Sequence, residues 1–149
     1  MNVKEVEGID PINEELIAVR ILILDQPNKN NRTYTTECVQ QCIDTHPVVY
    51  GELGMSPFNV NELIDSSSSV DLSVNTARIS HVVTNMKIKD GYWVGDVRIL
   101  NTPMGRMLNQ LISVEFHIDF RPRGTGNINE DGVISNYSII SIDVVSDGA

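Results

Sequence analysis

Apolar and polar positions alternate along this chain with periods that separate strands from helices. Leu16 to Leu24, LIAVRILIL, is an almost unbroken apolar run rich in Ile and Val, the pattern of a central strand covered on both faces. The Pro- and Asn-rich DQPNKNN after it reads as a loop. A helix is expected over 36–44. Thr35 caps it, Tyr34 staples onto Val39, and Val39, Cys42 and Ile43 form its buried stripe. His46-Pro47 ends it, because a residue before proline is pushed out of the α region, and Val48-Val49-Tyr50 starts an extended segment. Arg78 to Lys89 and Tyr92 to Leu100 form a hairpin about Asp90-Gly91, with Trp93, Gly95, Val97 and Ile99 on one face. Thr102-Pro103 opens a second helix, whose stripe is Met104, Met107, Leu108, Leu111 and Ile112.

The strongest alternation lies in ISVEFHIDF, from Ile112 to Phe120. It sets Val114, Phe116, Ile118 and Phe120 on one face and Ser113, Glu115, His117 and Asp119 on the other, as in a half-buried strand. RPRGTG, residues 121–126, reads as the turn closing it. The chain ends in a strand over Val133 to Val145 with Ile140, Ile142 and Val144 on one face. Residues 1–15 read as an acidic arm or short strand. Residues 56–76, with four serines after Asp65, carry little periodicity and suggest a flexible, lid-like loop. The expected architecture is one domain over 1–149, mainly β with flanking helices (α+β), as a small curled sheet or β-barrel.

Composition narrows the function classes. A length of 149 residues suits one domain, and 41% hydrophobic with 21% charged residues is ordinary for a globular protein. A net charge of -9 argues against a nucleic-acid groove, which needs clustered Lys and Arg. The first residues hold no apolar signal core and no run approaches the length of a membrane span, so neither a leader nor a membrane partner is expected. Cys38 and Cys42, four apart on a helix, are badly placed for a disulfide and too few for a zinc site.

The order of short motifs resembles the prohead (capsid-maturation) proteases of tailed bacteriophages, whose fold is related to herpesvirus assemblin. PNKNNRTYTTECVQQCI resembles the family's N-x-N-x-R-x-Y-P segment and the helix after it, and GELGMSP its G-E-L-N-H-P motif. RISHVVTNMKIKDGYWVGDVRILNTPMGRMLNQLI resembles its S-H hairpin and T-P-x-G helix, RPRGTG its S-S-R-G-x-G, and YSIISIDVVSDGA its closing strand. The resemblance spans roughly residues 18–149. It implies a serine protease in which the His of G-E-L-N-H-P is the base and a serine before R-G-x-G the nucleophile. Here the His position is Met55 and the two serine positions are Arg121 and Pro122. A serine nucleophile needs a base within hydrogen-bond reach, and none of these three side chains supplies either role. Met55, His81, Arg121 and Pro122 therefore read as a vestigial protease site. The resemblance implies an inactive, structural phage protein, capsid-associated or decorating the shell. It would sit in the virion head after assembly in the host cytoplasm, with the major capsid protein or other head proteins as partners. An oligomer of this chain is compatible with that reading, and no cofactor is implied.

Two other readings stand beside it: an active, divergent maturation protease using Ser113 or Ser56, and an assembly regulator of the protease or prohead core. Glu115, His117 and Asp119 on one strand face would suit a metal, although a solvated polar face explains them as well. Ser113 and His117, four apart in a strand, would lie about 13 Å apart, too far for a dyad. His81 is either a survivor of the old site or an ordinary hydrogen-bonded histidine. Arg121 and Arg123 make a local positive spot, suited either to a partner's carboxylates or to ion pairs within the chain.

Overall fold

The hairpin at Asp90-Gly91 is the scaffold of the first sheet. In the computed structural model, which describes residues 9–54, 63–65 and 74–146, Asp90 and Gly91 take φ of 53° and 81°, as a type I′ turn requires. This turn joins β4 (Ile79–Lys89) to β5 (Tyr92–Ile99). Trp93, Gly95, Val97 and Ile99 face the core, as their alternation predicts. β1 (Ile17–Ile23) pairs antiparallel with β5, and β2 (Val49–Glu52) with β4, giving the order β1-β5-β4-β2. A second sheet has the order β3-β6-β7, from β3 (Leu63–Asp65), β6 (Asp119–Ile128) and β7 (Ile134–Val145). β3 runs parallel to β6, and β7 antiparallel to it. The sheets curl toward each other where β2 runs out beside β7: Leu53 bridges Val144, and the Gly54 N–H donates to the Val144 carbonyl at 2.8 Å.

α1 (Thr36–Thr45) follows its sequence signals. The Thr35 hydroxyl accepts from the Cys38 N–H, the buried stripe is Val39, Cys42 and Ile43, and His46 caps the end. Tyr34 and Val39 are both wholly buried in the main core. Cys38 and Cys42 are free thiols, and burial pushes Cys42 up to about 11. α2 (Pro103–Ser113) begins with Pro103 at its first turn, where Thr102 accepts from the Gly105 N–H. The same hydroxyl donates to the Ile79 carbonyl at 2.5 Å, tying the helix to β4.

Several expectations are corrected. β1 is neither central nor covered on both faces: it is the end strand of its sheet, and of its seven residues only Ile21 is buried, so the apolar run marks a strand but neither its neighbours nor its cover. Met107 is 48% exposed rather than in the core. The strand expected from Ile112 does not form there. α2 runs through Ser113 and closes in a Schellman motif, in which the Glu115 N–H donates to Ile112 O at 3.0 Å and the Phe116 N–H to Leu111 O at 2.9 Å. Glu115 takes the left-handed conformation, φ 58°, where glycine is usual, so no sequence signal marked the stop. Val114 and Phe116 are consequently 71% and 45% exposed. Arg121 to Gly126 are not a turn but the middle of β6. On β7 the register shifts opposite Arg123 and Gly124, so Ile142 and Val144 are buried while Ile140 is only partly so. The loop expected over 56–76 lies mostly outside the described residues. Within its span, Leu63–Asp65 pair with β6 as β3 where a loop was expected.

Candidate functional site

The chemistry-bearing side chains collect at the seam where β2 and β4 meet β6 and β7. His81 stands on β4 opposite Gly51 of β2 and Ile99 of β5. Its ring crosses the seam, and Nε2 donates to the Ile142 carbonyl at 2.6 Å. A carbonyl only accepts, so Nε2 carries the proton. The neutral ring then accepts at Nδ1 from the Ser80 hydroxyl, 2.7 Å away. The edge of Phe120 packs against the ring at 5.2 Å. Gly51 makes room for this arrangement: a Cβ there would lie 1.8 Å from the Ile142 carbonyl oxygen and 2.2 Å from His81 Nε2. Burial drives the imidazole down to about 4, against the opposing pull of the Ile142 carbonyl and the nearby Asp143 charge. His81 is therefore neutral at ordinary pH and pins the two sheets together.

The Ser80–His81 contact has the hydroxyl–imidazole form of a nucleophile and its base. Both residues have no solvent exposure, however, so no substrate carbonyl reaches the hydroxyl.

A second group neutralises charge beside this ring. Arg123 of β6 donates from Nη2 to Glu52 Oε2 at 2.6 Å and from Nε to Asp143 Oδ2 at 2.9 Å. The other oxygen of Asp143 accepts from the Ser141 hydroxyl at 2.7 Å and the Glu52 N–H at 3.0 Å. Glu52 Oε2 also accepts from the Asn75 N–H at 3.1 Å, and Arg78 Nε lies 3.8 Å from Oε1. Arg78 additionally donates to the Leu53 carbonyl. Two guanidinium and two carboxylate groups thus neutralise one another within a mostly buried cluster. Breaking such a cluster strands a buried charge, which destabilises by roughly 3–5 kcal/mol. Both donor edges of Arg123 described here point at carboxylates of its own chain, the intramolecular alternative open from the sequence.

Arg121 and Pro122 stand in the β6–β7 ladder opposite Asp143 and Ile142. Arg121 pairs with Asp119 at 3.5 Å, and Pro122 is buried. A proline inside a strand is tolerated where no ladder bond needs its N–H. That holds on the β7 side: the Ile142 and Val144 carbonyls face His81 and Gly54, away from β6. Gly124 is kept for close approach, since a Cβ there would meet the Ser138 carbonyl at 2.4 Å and the Tyr137 ring at 2.7 Å. Met55 lies outside the described residues.

The structure therefore brings His81, Pro122 and Arg123 to one seam, while Arg121, on the same face of β6 as Arg123, pairs with Asp119 instead. Sequence reasoning assigned no role to Gly51, Glu52, Ser80, Ser141 or Asp143, although all lie in the motif stretches. Gly51, Glu52 and Asp143 act across the seam rather than along the chain, and Ser80 and Ser141 bond to the buried His81 and Asp143 of their own strands. Glu115 and His117 sit in the turn after α2, not on a strand face with Asp119. Among the described residues, no three His, Cys, Asp or Glu side chains converge as metal ligands. Ser113 ends α2, and its hydroxyl donates to the Gln110 carbonyl at 2.7 Å.

No protein-family model and no curated protein matches the chain. Among solved structures it is similar to the bacteriophage T4 capsid assembly protease gp21. The TM-score is 0.70 at 18% identity, over 92% of this chain and 88% of that one. At that identity the likeness concerns the fold, and the chain has the prohead-protease-like fold that its motifs implied.

Proposed function

We propose that this chain is a catalytically inactive relative of the capsid-assembly proteases that serves as a structural component of a phage head, associated with the capsid shell or decorating it. The observation that carries this reading is the pair Arg121-Pro122. At the two positions where the resemblance expects serine, one side chain is a guanidinium paired with Asp119 and the other a buried pyrrolidine ring. Neither forms an acyl-enzyme. The hydroxyl–imidazole pair that does exist, Ser80 with His81, is sealed inside the seam. Loss of the nucleophile alone leaves a protease only the residual rate supplied by binding and oxyanion stabilisation. The seam, by contrast, is fully bonded, which supports retention of the fold for shape and binding.

A serine-reactive fluorophosphonate probe tests the catalytic half of this reading. The expected outcome is no stoichiometric labelling of the folded chain. Labelling at Ser113, Ser56 or Ser80 would overturn it in favour of an active protease. Copy number in purified particles tests the structural half. An uncleaved chain in mature virions, in numbers comparable to the major capsid protein, is expected. Abundance in proheads with absence from mature heads would favour the assembly-regulator reading instead.

A further inference from the structure

Of the five exposed large apolar side chains among the described residues, three lie in one short stretch: Met107, Val114 and Phe116. Met107 and Val114 are two helical turns apart, so they share one flank of α2, and half-buried Leu111 lies between them. Phe116 returns beside Leu111, to whose carbonyl its N–H donates at 2.9 Å. The helix cannot roll to cover this flank. Its other side is pressed onto the first sheet: Leu108 is wholly buried, and a Cβ on Gly105 would lie 1.8 Å from the Leu100 carbonyl oxygen and 3.0 Å from that of Ser80. A contiguous apolar patch left in water marks a surface that another molecule covers.

The charges around the patch fit one occupant. Residues 107–114, MLNQLISV, carry no charge, while a cation, Arg106, stands at one end and an anion, Glu115, at the other. Arg106 donates to the neutral Asn101 side chain at 3.0 Å, and among the described residues neither it nor Glu115 forms an ion pair. α2 has no basic residue in its last turn, so the negative end of its dipole has no countercharge of its own.

We infer that this flank is a self-association surface, on which α2 of a second copy lies antiparallel, Met107 of each against Val114 of the other. Positions 107 and 114 have the same midpoint as positions 106 and 115. The register that stacks the apolar pair therefore also brings Arg106 level with Glu115 of the other copy and with the negative end of its helix. A parallel pair would set Arg106 against Arg106 and Glu115 against Glu115. A nucleic acid would find no cations along the neutral stretch. A two-fold contact of this kind closes at the dimer. The 11 residues of α2 span about 16 Å, too short a flank for the roughly 800 Å² per partner of a standard interface, so the dimer is weak and reversible. Pairing through α2 does not depend on whether the chain is catalytic, and it goes beyond the shell-binding reading by supplying a contact between copies.

Sedimentation velocity of the full chain, from micromolar to submillimolar concentration, reads this contact. A reversible monomer–dimer equilibrium is expected, with amide shifts on dilution centred on Arg106 to Phe116. Val114→Asp, at an exposed position, should weaken pairing by at least about tenfold, because it traps an unpaired carboxylate in the contact. Arg106→Glu and Glu115→Arg should each weaken it too, since each homodimer then sets like charges together. Mixing these two variants in equal amounts should restore pairing: the mixed dimer has one native Arg106–Glu115 pair and one reversed pair. Misfolding of either variant cannot produce that recovery. A monomer at every concentration, a mass that rises past the dimer, dilution shifts centred elsewhere, undiminished pairing of Val114→Asp, or no recovery on mixing would each overturn the inference. The fluorophosphonate and virion measurements read chemistry and location, so either they or the sedimentation result can fail without the other.

Discussion

Acidification should weaken the fold through one imidazole. His81 sits fully buried and neutral, and burial holds it at about 4 against an ordinary value of 6.5. As pH falls through 6.5 the unfolded chain takes up a proton at this position, while the folded chain does not until about 4. The stabilisation that His81 gives is therefore complete above pH 6.5 and is lost as pH falls toward 4. The slope approaches about 1.4 kcal/mol per pH unit, and the loss over the window amounts to about 3 kcal/mol. Urea unfolding of the native chain and His81→Gln, followed from about pH 7.5 down to 4, isolates the effect, because the carboxylates titrate alike in both. The native advantage should be flat above 6.5 and shrink by about 3 kcal/mol across the window. The ring signals of His81 should stay those of the neutral, Nε2-protonated form throughout most of it. Parallel stability profiles, or an imidazole that titrates near 6.5, would refute the reasoning and remove His81 from the seam.

Two substitutions probe the backbone that supports this arrangement. Gly51→Ala drives a Cβ into the Ile142 carbonyl and the His81 ring. A loss of about 3–5 kcal/mol is expected from overpacking plus a broken buried hydrogen bond, and a urea midpoint close to native would contradict the packing described. Glu115→Gly acts in the other direction. It relieves a left-handed glutamate at the end of α2, so thermal unfolding should show a gain of about 1 kcal/mol. A loss would mean that the Glu115 side chain holds the turn.

The parts of this fold legible from sequence are those whose signals are local. Thr35, Thr102 and Pro103 announce their helices, and Asp90-Gly91 its hairpin, because each satisfies a backbone requirement within a few residues. The stretch from Ile112 to Gly126 misled for the same reason. Alternation at Val114, Phe116 and Ile118 imitates a strand, but three hydrogen-bonded residues past Ser113 finish a helix first, with a glutamate doing what glycine usually does. Arg121-Pro122-Arg123 resembles a turn because whether a strand tolerates proline depends on which way the partner strand's carbonyls face, which lies outside its own stretch of sequence. Of the site, the missing nucleophile was visible in Arg121 and Pro122. Glu52 and Asp143 were not, since a carboxylate's partner across a seam leaves no mark in its own neighbourhood.

The Glu52–Asp143 contact links positions 91 residues apart. Closing a loop of that length costs about 4 kcal/mol of chain entropy beyond a constant, and nothing along the way repays it until both strands are in place. Folding is thus governed by an encounter between early and late parts of the polypeptide, the slow regime of non-local β topologies. The helices and the β4–β5 hairpin can form and dissolve quickly, but their burial is consolidated only when β7 arrives beside β2. Until then the His81 ring has no Ile142 carbonyl to meet and the Arg123 cluster is incomplete. The charged and imidazole groups of the seam are therefore satisfied only once the last strand has docked beside β2.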